Sequence, residues 1–116
     1  MRNEDIFVIH KMLKYCHDID ELMIRFQRDY EAYKNDISFQ YSCNMCIIQI
    51  GELVNRLSEE TKEASADIPW NAIRAMRNLH AHDYERVDLK IVWNTLTDDI
   101  PDLREKLEGL LKQKDS

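Results

Sequence analysis

Arg77, Asn78, His80, His82 and Tyr84 all fall within one short stretch, MRNLHAHDYERVD, at residues 76–88. An imidazole and a guanidinium held side by side are the minimum equipment for cleaving RNA without a metal. The histidine moves a proton at the 2′-hydroxyl or the leaving oxygen, because its charge changes near neutral pH. The arginine is a fixed cation whose planar fork suits phosphate oxygens, so it stabilises charge on the phosphoryl group. Both groups must face solvent together, and the element that carries them decides whether they do.

The apolar spacing predicts a helix from Trp70 to Asp83 or Tyr84, opened by Pro69. With Ile73 set at 0° on a helical wheel, Ala75, Leu79, Ala72 and Met76 cover roughly 200–300°, which reads as the core face. Arg77, Arg74, Asn78 and His82 fall at roughly 40°, 100°, 140° and 180°, one contiguous polar arc. His80 falls at about 340°, on the apolar side, where it reads as a packing residue with one satisfied nitrogen. Tyr84, if the helix reaches it, lies at roughly 20°, on the side of Arg77. A polar arc is ordinarily just a solvated face. Two features set this one apart: His82 stands at the C-terminal end of its helix, where the dipole favours the imidazolium, and the Arg77 fork lies within reach of it.

The rest of the chain must hold that helix. From Asn3 to about Tyr30, Ile6, Ile9, Leu13, Cys16, Met23 and Phe26 recur at helical spacing, with Asn3 as the expected N-cap and EAYKND breaking the pattern. A second helix is predicted over Ser38–Ser58, with a wide apolar stripe broadened by Tyr41, Met45, Ile48 and Leu53, as in a central helix or one that meets a second subunit. Gly51 inside it is best explained by the close approach of another helix, since glycine costs about 1 kcal/mol there relative to alanine. SEETKEASADIP reads as a polar connector with one short helical turn. Asp88 is expected to cap a fourth helix, and Pro101 to start a last one or to kink the fourth.

Gly and Pro number two each in 116 residues, which leaves little room for hairpins and points to one all-α bundle of four to five helices, a single domain over residues 1–116. The net charge of −6 has the wrong sign for general affinity to phosphate backbones. Any nucleic-acid site must then be a local basic patch, or arise where two subunits meet. No apolar run is long enough to span a membrane, and the charged start MRNEDIFVIHK does not read as a signal peptide. Three cysteines, an odd number, are expected to be reduced thiols in the cytoplasm. Cys43 and Cys46 form a C-x-x-C that could join His80 and His82 around zinc, but the two histidines point about 200° apart on one helix and the cysteines share an apolar stripe. Core thiols are the better reading, no metal or cofactor is expected, and no βαβ pattern supports a thioredoxin-like role.

The stretch RNLHAHDY resembles the RX4HXY motif of the HepT-like toxins of the HEPN superfamily: Arg77, four residues, His82, one residue, Tyr84. Asn78 matches the polar residue that commonly follows the motif arginine. IIQIGELVNRLSEE resembles the family's IGE helix, and IPWNAIRAMRN and VDLKIVWNTL its flanking segments, so the likeness covers most of the chain from about Cys46 onward. The resemblance implies a HEPN-like bundle and a metal-independent endoribonuclease toxin. It implies a homodimer whose composite cleft joins two motifs, and an MNT-type nucleotidyltransferase antitoxin that adds AMP to the motif tyrosine. Carried onto this chain, catalysis falls to Arg77 and His82, substrate positioning to Asn78 and Arg74, and modification to Tyr84. Arg74 and Arg77 from two subunits would also concentrate positive charge on an acidic protein. Glu52, in the IGE stretch, gains no role beyond pairing with an arginine. The competing reading is a non-catalytic binding partner, or substrate-presenting subunit, of a nucleotidyltransferase.

Overall fold

The computed structural model describes residues 1–82 and 88–113, the side chains of 79–82 excepted. Its elements are α1 (Asn3–Arg25), α2 (Tyr30–Asn35), α3 (Ile37–Val54), α4 (Glu59–Ala64), α5 (Trp70–His82), α6 (Leu89–Asn94), a π-helical turn (Thr95–Asp99) and α7 (Ile100–Gln113). Among the described residues there is no strand, and no helix is long and apolar enough to cross a membrane. The all-α bundle expected from the sequence is the fold.

Its core is built on α3, which packs against α1, α2 and α5. Phe39, Cys43, Ile47 and Ile50 are fully buried there, against Val8, Ile9 and Met12 of α1. An aromatic cluster closes one end: Phe39 stacks on Phe26 with centroids 4.2 Å apart, and Tyr33 and Trp93 meet it edge-on.

Several local expectations are corrected. Asn3 is the first helical residue rather than the cap; Arg2 holds the cap position without a side-chain bond. The first helix stops at Arg25, in a turn that puts Gln27 and Arg28 at positive φ. EAYKND does not break helical order but makes α2, capped by Asp29, with Tyr33 fully buried. A helix of six residues is too short to show a period. The second long helix also ends four residues early, at Val54, because Ser58 is taken as the cap of α4.

Asp88 caps α6 by accepting from the Lys90 amide, as expected. Pro101 sits in the first turn of α7, directly after the π turn, and helical backbone runs without a gap from α6 into α7. Of the two expectations for Pro101, the continuation of the fourth helix therefore fits better than a separate one. Proline has no N–H to offer the Thr97 carbonyl and its ring crowds it. The backbone widens just before it, with the Ile100 amide bonding Thr95 O.

Candidate active site

The first turn of α5 is pinned by Trp70. Its ring is buried, and its Nε1 donates to Ser65 Oγ at 3.3 Å, which in turn donates to Thr61 O at 2.6 Å. One turn on, Ile73 is buried against α3. There the two helices nearly touch. A Cβ placed on Gly51 would lie 3.0 Å from Arg77 Cβ, 3.2 Å from Ile73 O and 3.3 Å from Arg77 N. The glycine therefore serves the close approach its position suggested. The approaching helix is the chain's own α5, so Gly51 does not argue for a second subunit.

This contact corrects the face expected of α5. Of the four residues expected in the core, Ala72 and Ala75 are exposed, Met76 is half-buried against it, and the side chain of Leu79 lies outside the described residues. The buried line instead runs through Trp70 and Ile73 towards Arg77, centred roughly 130–140° from the arc that the alanines suggest. The two exposed positions of that arc are alanines, which bring far less apolar area than Trp70 and Ile73. Arg77 is thus not simply a solvated arm. Its backbone and Cβ are fixed against α3 and its side chain is 34% exposed.

Glu52, the residue after Gly51, reaches that guanidinium. Arg77 Nη1 donates to Glu52 Oε1 at 2.9 Å. The pairing with an arginine considered for Glu52 is real, and the arginine is the one in the motif. Arg74 is exposed and turns back along α5, its Nη2 donating to Asn71 Oδ1 at 3.3 Å, and Asn78 is exposed on the same side. α5 runs through His82, but the side chains of His80 and His82 and the whole of Tyr84 lie outside the described residues. The structure therefore joins Arg77 to Glu52 and leaves Arg74 and Asn78 open to solvent beside them.

The thiols stand apart from this site. Burial pushes Cys16 and Cys43 up to about 12, and Cys46 up to about 11, so all three stay protonated at neutral pH. Protonated, buried thiols are poor metal ligands and poor nucleophiles, which suits the core reading.

A family model described as ribonuclease HepT-like matches residues 12–110. The chain belongs to that family. The enzyme class expected from the motif, a ribonuclease, comes with that membership. Among curated relatives, the chain is 30% identical over 106 residues to candidate RNase MJ0125 of Methanocaldococcus jannaschii, covering 90% of this chain and 88% of the relative. It is 32% identical over 103 residues to a candidate ribonuclease HepT of Thermococcus cleftensis, covering 84% of this chain and 94% of the relative. A second M. jannaschii protein, candidate RNase MJ1216, is 29% identical over 106 residues, 90% of this chain and 84% of the relative. No solved structure matches the chain significantly.

Proposed function

We propose that this HepT-like chain is a metal-independent endoribonuclease toxin of a toxin–antitoxin pair, cleaving RNA with Arg77 and His82 at a homodimer cleft. The observation that carries the reading is the placement of Arg77: its backbone is locked to α3 at Gly51 and its guanidinium is held at the surface by Glu52. His82 takes a proton from the 2′-hydroxyl. The freed oxygen bonds the adjacent phosphorus as the bond from phosphorus to the 5′-oxygen breaks, and that oxygen leaves with a proton from water. The upstream fragment ends in a 2′,3′-cyclic phosphate, and Arg77 stabilises the charge on the phosphoryl oxygens. Asn78 and Arg74 orient the RNA backbone in this reading, which their exposure supports. A second copy supplies the rest of the cleft and doubles the local positive charge. Support for that copy comes from α3, where Ile37, Tyr41 and Met45 are 56–58% exposed on one face.

The test is purified protein with labelled RNA in EDTA, beside His82→Ala. Cleavage that survives EDTA, spares DNA, leaves cyclic-phosphate ends and vanishes in the variant supports the reading. Products with 3′-hydroxyl ends, or a need for added Mg²⁺, would sink it. The partner in this reading is an MNT-type nucleotidyltransferase that adds AMP to Tyr84. The added phosphodiester would occupy the Arg77 fork and repel RNA phosphates. With such a partner and ATP the mass rises in AMP steps and cleavage stops, while Tyr84→Phe stays active. If Tyr84→Phe is silenced like the parent, control lies at another residue. The non-catalytic alternative predicts RNA binding without cleavage, by parent and His82→Ala alike.

A further inference from the structure

We propose that Gly51 and Glu52 together hold the motif arginine, and that Glu52 is a positioning residue for RNA cleavage; this rests on the ribonuclease reading above. Three consecutive residues of α3 do three different jobs. Ile50 is fully buried and anchors the turn in the core. Gly51 lets the α5 backbone come in until Arg77 Cβ is 3.0 Å from where a side chain would begin. Glu52 then stands on the exposed side of α3, under the guanidinium, and accepts its Nη1 at 2.9 Å.

That bond is too exposed to be there chiefly for stability: the two side chains are 34% and 51% accessible, and ion pairs in that setting add little. What it does is restrict a long, flexible arm. An arginine swings through several rotatable bonds, whereas a phosphoryl oxygen in a transition state occupies one place, and small displacements there are costly to rate. Among the described residues the pairing is one-pointed, a single N–H to a single oxygen. A guanidinium has five N–H donors, so the remaining donors of the fork stay available to a phosphate. Glu52 therefore aims Arg77 without consuming it.

The carboxylate has a second effect of opposite sign. As a negative charge beside the phosphate-binding cation, it weakens ground-state attraction for RNA. Removing it is expected to tighten binding while slowing turnover, a pairing of effects that loss of packing alone does not produce.

The experiment measures single-turnover cleavage of a labelled mixed-sequence single-stranded RNA by the full-length protein. The variants are Glu52→Ala, Glu52→Gln, Arg77→Ala and His82→Ala. RNA affinity is read by anisotropy for the Glu52 variants in a His82→Ala background. Glu52→Ala is expected to slow the cleavage step about 10–100-fold, as misplacing a catalytic group by up to about 1 Å does. Glu52→Gln keeps the accepting oxygen and should recover most of that rate. Both should bind RNA roughly twofold to fivefold more tightly, as loss of one solvated charge allows. Glu52→Ala cleaving at the parent rate, with Arg77→Ala and His82→Ala inactive, overturns the role of Glu52 and leaves the ribonuclease reading standing. Weaker RNA binding with no rescue by glutamine marks the residue as packing only, and overturns it too. Failure of the parent protein to cleave RNA overturns the ribonuclease reading itself, and the catalytic role of Glu52 with it.

Discussion

His80 and His82 are separated by one residue, a spacing that an ideal helix turns through about 200°. Their substitutions should therefore part company. His82→Ala is expected to abolish RNA cleavage with little change in melting temperature, because it removes a proton-transfer group from the polar arc. His80→Ala is expected to lower stability by roughly 1–3 kcal/mol, in keeping with a packing role. An inactive, well-folded His80 variant beside an active His82 variant would reverse the assignment. Asp5 gives a second test at this scale. It is 1% exposed, and accepts from the Ser58 amide at 2.9 Å, the Ser58 hydroxyl at 2.6 Å and the Thr61 hydroxyl at 2.7 Å. Burial pushes its carboxyl up, but those bonds and the charge of Arg2 outweigh burial, leaving the pKa below the ordinary 3.8. The native state thus holds the ionised form more tightly than the unfolded chain does. The resulting stability is complete above the ordinary value and is lost as pH falls through the lowered one. Asp5→Asn should cost about 1–3 kcal/mol at neutral pH. Urea titrations from pH 7 to pH 2 check it: the gap between parent and variant must close in acid, and a gap that stays constant refutes the stabilising role of the ionised Asp5.

The two glycines make the element-scale contrast. Gly109 lies in α7 with nothing within 4 Å of the place a methyl group would take, whereas Gly51 is pressed against Arg77 Cβ and two backbone atoms of α5. Gly109→Ala should stabilise by about 0.5–1 kcal/mol, the ordinary helical gain. Gly51→Ala gains the same propensity but forces α5 outward, and overpacking of that kind costs about 1–3 kcal/mol. Thermal unfolding should move the two melting temperatures in opposite directions. If both rise, the close approach of α3 and α5 is looser than described. Much at this scale is legible in the sequence: Asp88 as a cap, the short turn in SEETKEASADIP, and Gly51 as a crossing point. The face of α5 is not. Counting Ala72 and Ala75 as apolar gives a stripe by letter type, when burial follows the area a side chain brings, and Trp70 with Ile73 brings far more.

On the scale of the whole molecule, the exposed stripe of Ile37, Tyr41 and Met45 on α3 shares its helix face with Glu52, which reaches Arg77. A second copy covering that stripe and the rest of its face would approach the Glu52–Arg77 pair, and a stable interface buries on the order of 1,200–2,000 Å². The parent should show twice the 13.9 kDa chain mass in light scattering at micromolar concentration. Met45→Glu, on an exposed position, should give folded monomers that do not cleave RNA and whose melting temperature no longer depends on protein concentration. A dimeric, active Met45→Glu protein places the interface elsewhere. The sequence by itself determined the helical class, through its scarcity of Gly and Pro and its three- and four-residue apolar steps, and it determined the spacing of Arg77, His82 and Tyr84. Both are local properties, set by a period and a distance along one chain. Which face of α5 turns inward, that Gly51 accommodates Arg77, and that Glu52 rather than solvent holds the guanidinium were decided only by tertiary structure. Residues 25 positions apart, as Glu52 and Arg77 are, meet because two helices cross at a point where one has no side chain.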